Sequence, residues 1–169
     1  MELIIRQMKE DDAPIMSRAF TEIGWDKPIS QYAKYFDEQK KGTRIVLVAI
    51  ADGIFTGYLT IVWKPDYPYF RENNIPAIVD MNVLPQFRKK KIATRLMDKA
   101  EKIVAEKSDV IGIGVGLYDS YGPAQKMYVL RGYVPDGFGA SYKNEYIQDG
   151  QRMVADDSLN LNLVKKIKK

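Results

Sequence analysis

The sequence contains neither cysteine nor histidine, and this double absence removes several chemistries. A disulfide framework, a Cys or Cys/His zinc site, a cysteine nucleophile and a Ser-His-Asp triad each need a missing residue type. Acid–base work must fall to Asp, Glu, Tyr, Lys, a chain terminus or water, and no metal is expected. Long apolar runs are missing too: the longest, such as 45–51, are far too short for a bilayer span. The opening Met1-Glu2-Leu3-Ile4-Ile5-Arg6 lacks the basic stretch and long apolar region of a signal peptide. A cytoplasmic protein with no membrane partner is the expectation. Repeats, low-complexity tracts and a Pro/Gly/Ser-rich linker are also absent, so residues 1–169 read as one domain.

Net charge of either sign is lacking once the C-terminus is set aside. The formal net charge is +4, and Lys165, Lys166, Lys168 and Lys169 account for all of it. Residues 165–169 read as a frayed, solvated basic tail. A small nucleic-acid-binding protein would use that tail together with Arg88, Lys89, Lys90 and Lys91. The chain lacks the net-basic body and the binding module that this requires, so no nucleic acid is expected. Apolar residues, at 46%, are plentiful enough for a full core.

Residues 3–8 are predicted to form a strand. Asp11, Asp12 and Pro14 then open a helix, since acids suit its positive end and proline is tolerated in the first turn. Ile15, Met16, Ala19, Phe20 and Ile23 follow at helical spacing. A second helix is predicted over 28–41, with Ile29, Tyr32, Ala33 and Phe36 on its inner side. Strands at 44–50 and 55–63 are joined through Asp52-Gly53, a hairpin signal. Residues 64–75, with Pro65, Pro68, three aromatics and Asn73-Asn74, read as a loop. A strand at 77–84 leads into a strongly amphipathic helix over 91–107. In the next strand, 110–117, Gly112, Gly114 and Gly116 alternate with apolar residues, which weakens a strand unless something must approach closely. Pro123 opens the following helix, Gly132 closes it, Tyr133 begins a short strand, and 158–164 is the last one. The order β-α-α-β-β-β-α-β-α-β-β indicates an α/β layered domain with a mixed sheet.

The stretch from Val83 to Thr94 is the most informative: a strand ends, a basic turn follows and a helix begins. A helix N-terminus presents unpaired backbone N–H groups and partial positive charge, a ready site for phosphate. Arg88, Lys89, Lys90 and Lys91 add charges, and the small Ala93 allows close approach. On charge alone the same residues also read as a solvated basic turn.

Here the chain resembles the GNAT superfamily of N-acetyltransferases, which marks this turn with Gln/Arg-x-x-Gly-x-Gly/Ala. Arg88, Lys91, Ile92 and Ala93 stand at the motif positions. Downstream, Tyr121-Gly122-Pro123-Ala124-Gln125-Lys126-Met127-Tyr128 followed by Arg131-Gly132-Tyr133 is similar to the family's second motif. The resemblance covers nearly the whole chain. It implies a mixed, mostly antiparallel central sheet flanked by helices, and acetyl-CoA as co-substrate. The implied CoA-binding residues are Val83, Leu84, Arg88, Lys89, Lys90, Lys91, Ile92, Ala93, Thr94 and Ala124. Backbone N–H groups near Val83 and Leu84 would bind the thioester oxygen. Dimers are common in the family. One position departs: Lys91 replaces the motif's first glycine. Either the turn keeps an ordinary helical conformation there or the pyrophosphate site is altered, and the lysine could itself pair with a phosphate.

Acetyl transfer needs a neutral amine, a polarised carbonyl and a departing thiolate. An amine with the pKa of lysine is neutral about once in two thousand at pH 7. Asp80, an acid among apolar strand residues, reads as a base, as an anchor for the ammonium, or simply as the partner of a nearby basic residue. Asn82 shares its face and could orient the acceptor. The resemblance makes Tyr128 the general acid facing the CoA sulfur; otherwise it is a packed core tyrosine. Asp119 and Tyr121, after a strand end, could meet the acceptor amine. The aromatics around Trp25, Tyr32, Tyr35 and Trp63 read as core or as ring faces for a cation. A small molecule or peptide amine is the expected acceptor. The same fold without turnover would be an acyl-CoA-binding sensor or regulatory module.

Overall fold

The computed structural model describes residues 1–167. The chain divides into two compact units, Met1–Val62 with Ile78–Ile103, and Trp63–Ala77 with the chain from Val104 onward. Among the described residues no helix is long and apolar enough to cross a membrane.

The first unit holds β1 (Leu3–Gln7), α1 (Asp12–Thr21), α2 (Ile29–Lys40), β2 (Arg44–Ala51), β3 (Ile54–Val62), β4 (Ala77–Val83) and most of α4 (Ile92–Ala105). Its strands lie in the order β1-β2-β3-β4. β1 runs antiparallel to β2 from Leu3↔Ala51 to Gln7↔Leu47. The β2–β3 hairpin turns on Asp52 and Gly53, both at positive φ (48° and 79°), the twist that suits a two-residue hairpin. Asp12 ties β1 to α1: it accepts two bonds from the Arg6 guanidinium (2.7 and 2.9 Å) and one from the Lys9 amide (2.6 Å). Met16 and Phe20 from α1 and Tyr32 from α2 are fully buried with Val46 and Tyr58.

The inner face of α2 differs from the one expected. Tyr32 and Phe36 face inward, but Ile29 and Ala33 are exposed and Tyr35 takes their place. The reason is polar: Gln39, on the same side, donates to the Met8 carbonyl and accepts from the Val46 amide, both at 2.9 Å. Satisfying strand-edge groups fixes the rotation of α2 more firmly than burying one isoleucine.

The second unit holds α3 (Pro68–Glu72), β5 (Val110–Gly116), α5 (Gly122–Leu130), β6 (Val134–Tyr142), β7 (Glu145–Tyr146) and β8 (Leu159–Lys166). Its strands lie in the order β5-β8-β6-β7. β5 and β8 are antiparallel from Val110↔Lys166 to Gly116↔Asn160. Lys165 and Lys166, expected in a frayed tail, are therefore paired strand residues, because alternate β8 side chains such as Leu163 are buried. Lys168 and Lys169 lie outside the described residues.

The expected loop at 64–75 contains α3, and its purpose explains the glycines of β5. Phe70 on α3 is buried, and a Cβ on Gly112 would stand 2.5 Å from its ring. A Cβ on Gly116 would stand 2.2 Å from the ring of Tyr121. What approaches these glycines is the chain's own aromatic rings. β6 is also longer than expected, with a register irregularity between Pro135 and Ala140 where Gly137 and Gly139 take positive φ.

Candidate active site

In the first unit, β4 ends at Val83 and a 3-10 turn over Pro85–Phe87 leads to α4. Lys89 and Lys91 both lie at φ 61°. Lys91 has thus taken a left-handed conformation of the kind that suits glycine rather than becoming helical, contrary to the first of the two expectations. Among the described residues, no backbone carbonyl accepts from the amides of Lys89 to Thr94; the next, Arg95, donates to Lys91 at 3.0 Å. Alternating left-handed and ordinary residues ahead of a helix N-terminus form a concave array of N–H groups, an anion-binding nest. The side chains of Arg88, Lys89, Lys90 and Lys91 are exposed around it, while Ile92 is buried and anchors the helix start. Arg88 donates to the Val83 carbonyl at 3.4 Å and lies 6.0 Å from the Trp25 ring.

Leu84 does not supply the expected N–H donor to a substrate oxygen. It is buried, and its amide donates to the Thr56 carbonyl at 2.9 Å. A continuing β3–β4 contact uses that group, as also shown by Gly57, where a Cβ would meet the Asn82 carbonyl at 2.6 Å.

Asp80 occupies the centre of a polar cluster that the sequence did not foretell. Its Oδ1 accepts from Lys27 Nζ (3.1 Å) and Asn82 Nδ2 (2.7 Å). Its Oδ2 accepts from Tyr58 (2.6 Å), Tyr35 (2.9 Å) and Gln31 Nε2 (3.2 Å). Five donors exceed the roughly four lone-pair positions of a carboxylate. With Lys27 in place, Asp80 has no lone pair left for a substrate proton. Its φ of 65° is a left-handed conformation inside a strand, tolerated by aspartate better than by most residues and held by the surrounding donors. Burial first, then the Asp80 charge, raises the hydroxyl pKa values of Tyr58 and Tyr35. Asn82, foreseen as an acceptor-orienting residue, instead bonds Asp80 and the Tyr58 hydroxyl (3.3 Å).

Lys27, Gln31, Tyr35 and Tyr58 were not singled out with Asp80. One signal was present: Gln31 and Tyr35 stand four residues apart, which places two polar groups on one helix face. Nothing local marks Lys27, which lies in the connection between α1 and α2.

In the second unit, Tyr128 on α5 is 5% exposed, and burial alone pushes its hydroxyl up to about 12. It is therefore a protonated, neutral phenol at physiological pH. Tyr121 packs against Tyr118 (ring centroids 4.9 Å apart), and both hydroxyls donate to Asp157, Tyr121 at 2.8 Å. Asp119 is exposed and accepts a long bond from Ser120, at 3.4 Å. Ala124 lies in the first turn of α5, half-buried.

Residues 5–133 match the model of the acetyltransferase (GNAT) family. No curated protein matches the sequence. Solved structures do match in fold. A PaiA N-acetyltransferase from Thermoplasma acidophilum, in complex with coenzyme A, is 15% identical, with a TM-score of 0.66 over 98% of this chain and 99% of its own. A spermidine/spermine N-acetyltransferase from Vibrio cholerae is 13% identical, with a TM-score of 0.66 over 98% of this chain and 92% of its own. A ribosomal-protein-alanine N-acetyltransferase from Escherichia coli is 10% identical, with a TM-score of 0.70 over 99% and 96%. These likenesses establish the mixed, mostly antiparallel α/β fold that the motifs implied. The family match spans most of the chain and includes both the anion nest before α4 and the α5 motif: the chain belongs to the GNAT acetyltransferase family and is an acyltransferase.

Proposed function

We propose that the chain moves an acetyl group from acetyl-CoA to a primary amine of a small molecule or peptide, by direct attack of the amine. The nest of amides from Lys89 to Thr94 carries this reading, because Lys89 and Lys91 are left-handed ahead of a helix start whose amides no backbone carbonyl engages among the described residues. A phosphate fits such a nest, so the residues present suit the pyrophosphate of a CoA ester. Acetyl-CoA supplies the activated acyl group. Arg88, Lys89, Lys90 and Lys91 supply positive charge, and the amides of Ile92, Ala93 and Thr94 supply donors. The resemblance adds Val83, Leu84 and Ala124 to the cofactor's surroundings.

Tyr128 is the proposed general acid. A buried phenol held neutral can donate a proton to a departing thiolate, an effect of about 10²–10⁴ in rate. Asp80 acts as an anchor for positive charge rather than as a base, since its lone pairs are all engaged. The related proteins act on quite different acceptors, a polyamine in one and a ribosomal-protein alanine in another, and what they share is an amine.

Thermal unfolding and amine-dependent CoA release, measured on the wild type and on Tyr128→Phe, test this together. A ligand at a hundred times its Kd stabilises by about 2.7 kcal/mol, roughly 5–10 °C here. Both proteins should show that shift with acetyl-CoA, and Tyr128→Phe should lose about 99% of kcat. A shift with no turnover of any amine in the wild type would favour the sensor reading. Unchanged kcat in the variant would remove Tyr128 from the mechanism.

A further inference from the structure

Lys27 holds its ammonium where a ligand's ammonium would be expected. It donates to Asp80 Oδ1 and to the Tyr58 hydroxyl, both at 3.1 Å. It also lies 6.0 Å from the centre of the Phe20 ring and 5.7 Å from that of Tyr58, within cation–π range. A carboxylate, two ring faces and several polar groups converge on one point, which is how a protein recognises an alkylammonium. The cluster is built around that charge: Asp80 is held at a strained φ of 65° to present its carboxylate.

A second observation concerns Tyr32. Its side chain is fully buried, and its hydroxyl lies beside that of Tyr58. The ring packs edge-on against Tyr58 at 5.4 Å, and the hydroxyl is close enough to feel the charge of Asp80. Its hydroxyl thus adds one more buried polar group to the same cluster. Lys27 is also not sealed in: its side chain and that of Asp80 each keep 18% of their exposure. It comes from the connection between α1 and α2, outside regular structure.

We infer that the Asp80 cluster is an alkylammonium subsite that Lys27 fills as a tethered competitor, and that the acceptors it serves are diamines and polyamines. One ammonium of such an acceptor displaces Lys27 and sits on Asp80 between the rings of Phe20 and Tyr58, while another nitrogen of the same molecule, deprotonated, is the nucleophile. A tethered group competes as if present at about millimolar concentration. Lys27 therefore raises the apparent Kd of every cation that uses the subsite and excludes those that bind weakly. Monoamines gain nothing from the subsite while they are being acetylated, because their one nitrogen is the nucleophile. This acceptor class rests on the acetyltransferase reading, whereas ammonium binding itself does not.

Lys27→Met keeps the unbranched apolar stem of the side chain and removes its charged end. Lys27→Gln keeps a donor for Asp80 and serves if the methionine variant does not fold. Melting temperatures are measured with 1,4-diaminobutane, with 1-aminobutane and with NaCl at matched ionic strength, all without acetyl-CoA. Each variant should gain roughly 5 °C from either amine near a hundred times its Kd, beyond the effect of NaCl, and more than the wild type gains at the same concentration. In turnover, the ratio of kcat/KM for the diamine to that for the monoamine should rise about tenfold in the variants, the worth of one displaced ion pair with cation–π support. Amines that stabilise the variants no more than NaCl, or failure of both variants to fold, would overturn the subsite and leave Lys27 a structural counter-ion. Amine binding without acetylation of any amine would uphold the ammonium subsite and overturn the acetyltransferase reading. Acetylation with an unchanged ratio would overturn the assignment of acceptor class.

Discussion

Lys91 stands at φ 61°, where a lysine costs about 1–2 kcal/mol over a glycine. The motif's position was legible in the sequence, and so was the departure from it. What the sequence could not reveal was which side would yield, the turn or the residue. The turn prevailed, because Ile92 is buried at the helix start and Lys89 is also left-handed, so neighbouring constraints fix the backbone at Lys91. Replacing Lys91 with Gly and with Ala separates conformation from charge. Both variants lose the ammonium, but only glycine relieves the strain. Lys91→Gly should be more stable than Lys91→Ala by about 1 kcal/mol, roughly 2–4 °C in Tm. Equal Tm values would mean that the left-handed turn is not populated in solution. Asp80 illustrates the opposite limit. Its oddity in a strand was visible, but its five partners come from residues 2 to 53 positions away, and no local pattern joins them.

At the level of elements, the glycine alternation in β5 is visible in the sequence and marks a place of close approach. The approaching groups are hidden because residues 64–75, which hold α3, carry the signals of a loop. Five residues with a proline at the first position and two tyrosines and a phenylalanine nearby carry little helical signal. The helix forms because it seats Phe70 against Gly112, with Tyr67 and Ile75 beside it. Gly112→Ala forces a methyl to 2.5 Å from a buried ring, so overpacking should cost about 2–3 kcal/mol, roughly 4–12 °C in Tm. Phe70→Leu in the same chain should recover part of that loss in a double-mutant cycle. Additive losses from the two substitutions would show that the ring and the glycine are not coupled. The rotation of α2 teaches the same lesson: hydrophobic spacing chose Ile29, while the bonds of Gln39 to Met8 and Val46 chose Tyr35.

At the level of the whole molecule, the sequence has eleven tyrosines and no histidine or cysteine, so its alkaline behaviour is dominated by phenols and lysines. Burial raises the pKa values of Tyr32, Tyr35 and Tyr58 in one unit, and of Tyr67, Tyr121 and Tyr128 in the other. A phenol whose folded pKa exceeds its unfolded value of 10.0 favours the native state below pH 10, and that contribution is lost as pH rises through the folded value. In an alkaline titration followed by tyrosinate absorbance, these six should ionise above pH 10, together with loss of the circular dichroism signal. Ionisation of all eleven near pH 10 with the fold intact would contradict the burial described above.

The sequence by itself determined the order of the main strands and helices apart from α3 and β7, the absence of thiol and imidazole chemistry, and the two motifs that mark an acetyltransferase. These are local: residue type, spacing and helix start are written within a dozen consecutive positions. The tertiary structure alone decided that Lys91 would be left-handed, that the Leu84 amide would serve the sheet, that Asp80 would be saturated with donors and that Lys27 would pair with it. Each of these depends on which distant groups compete for one backbone amide or one carboxylate. Such competition is settled by desolvation and hydrogen-bond geometry, which exist only after the chain has folded.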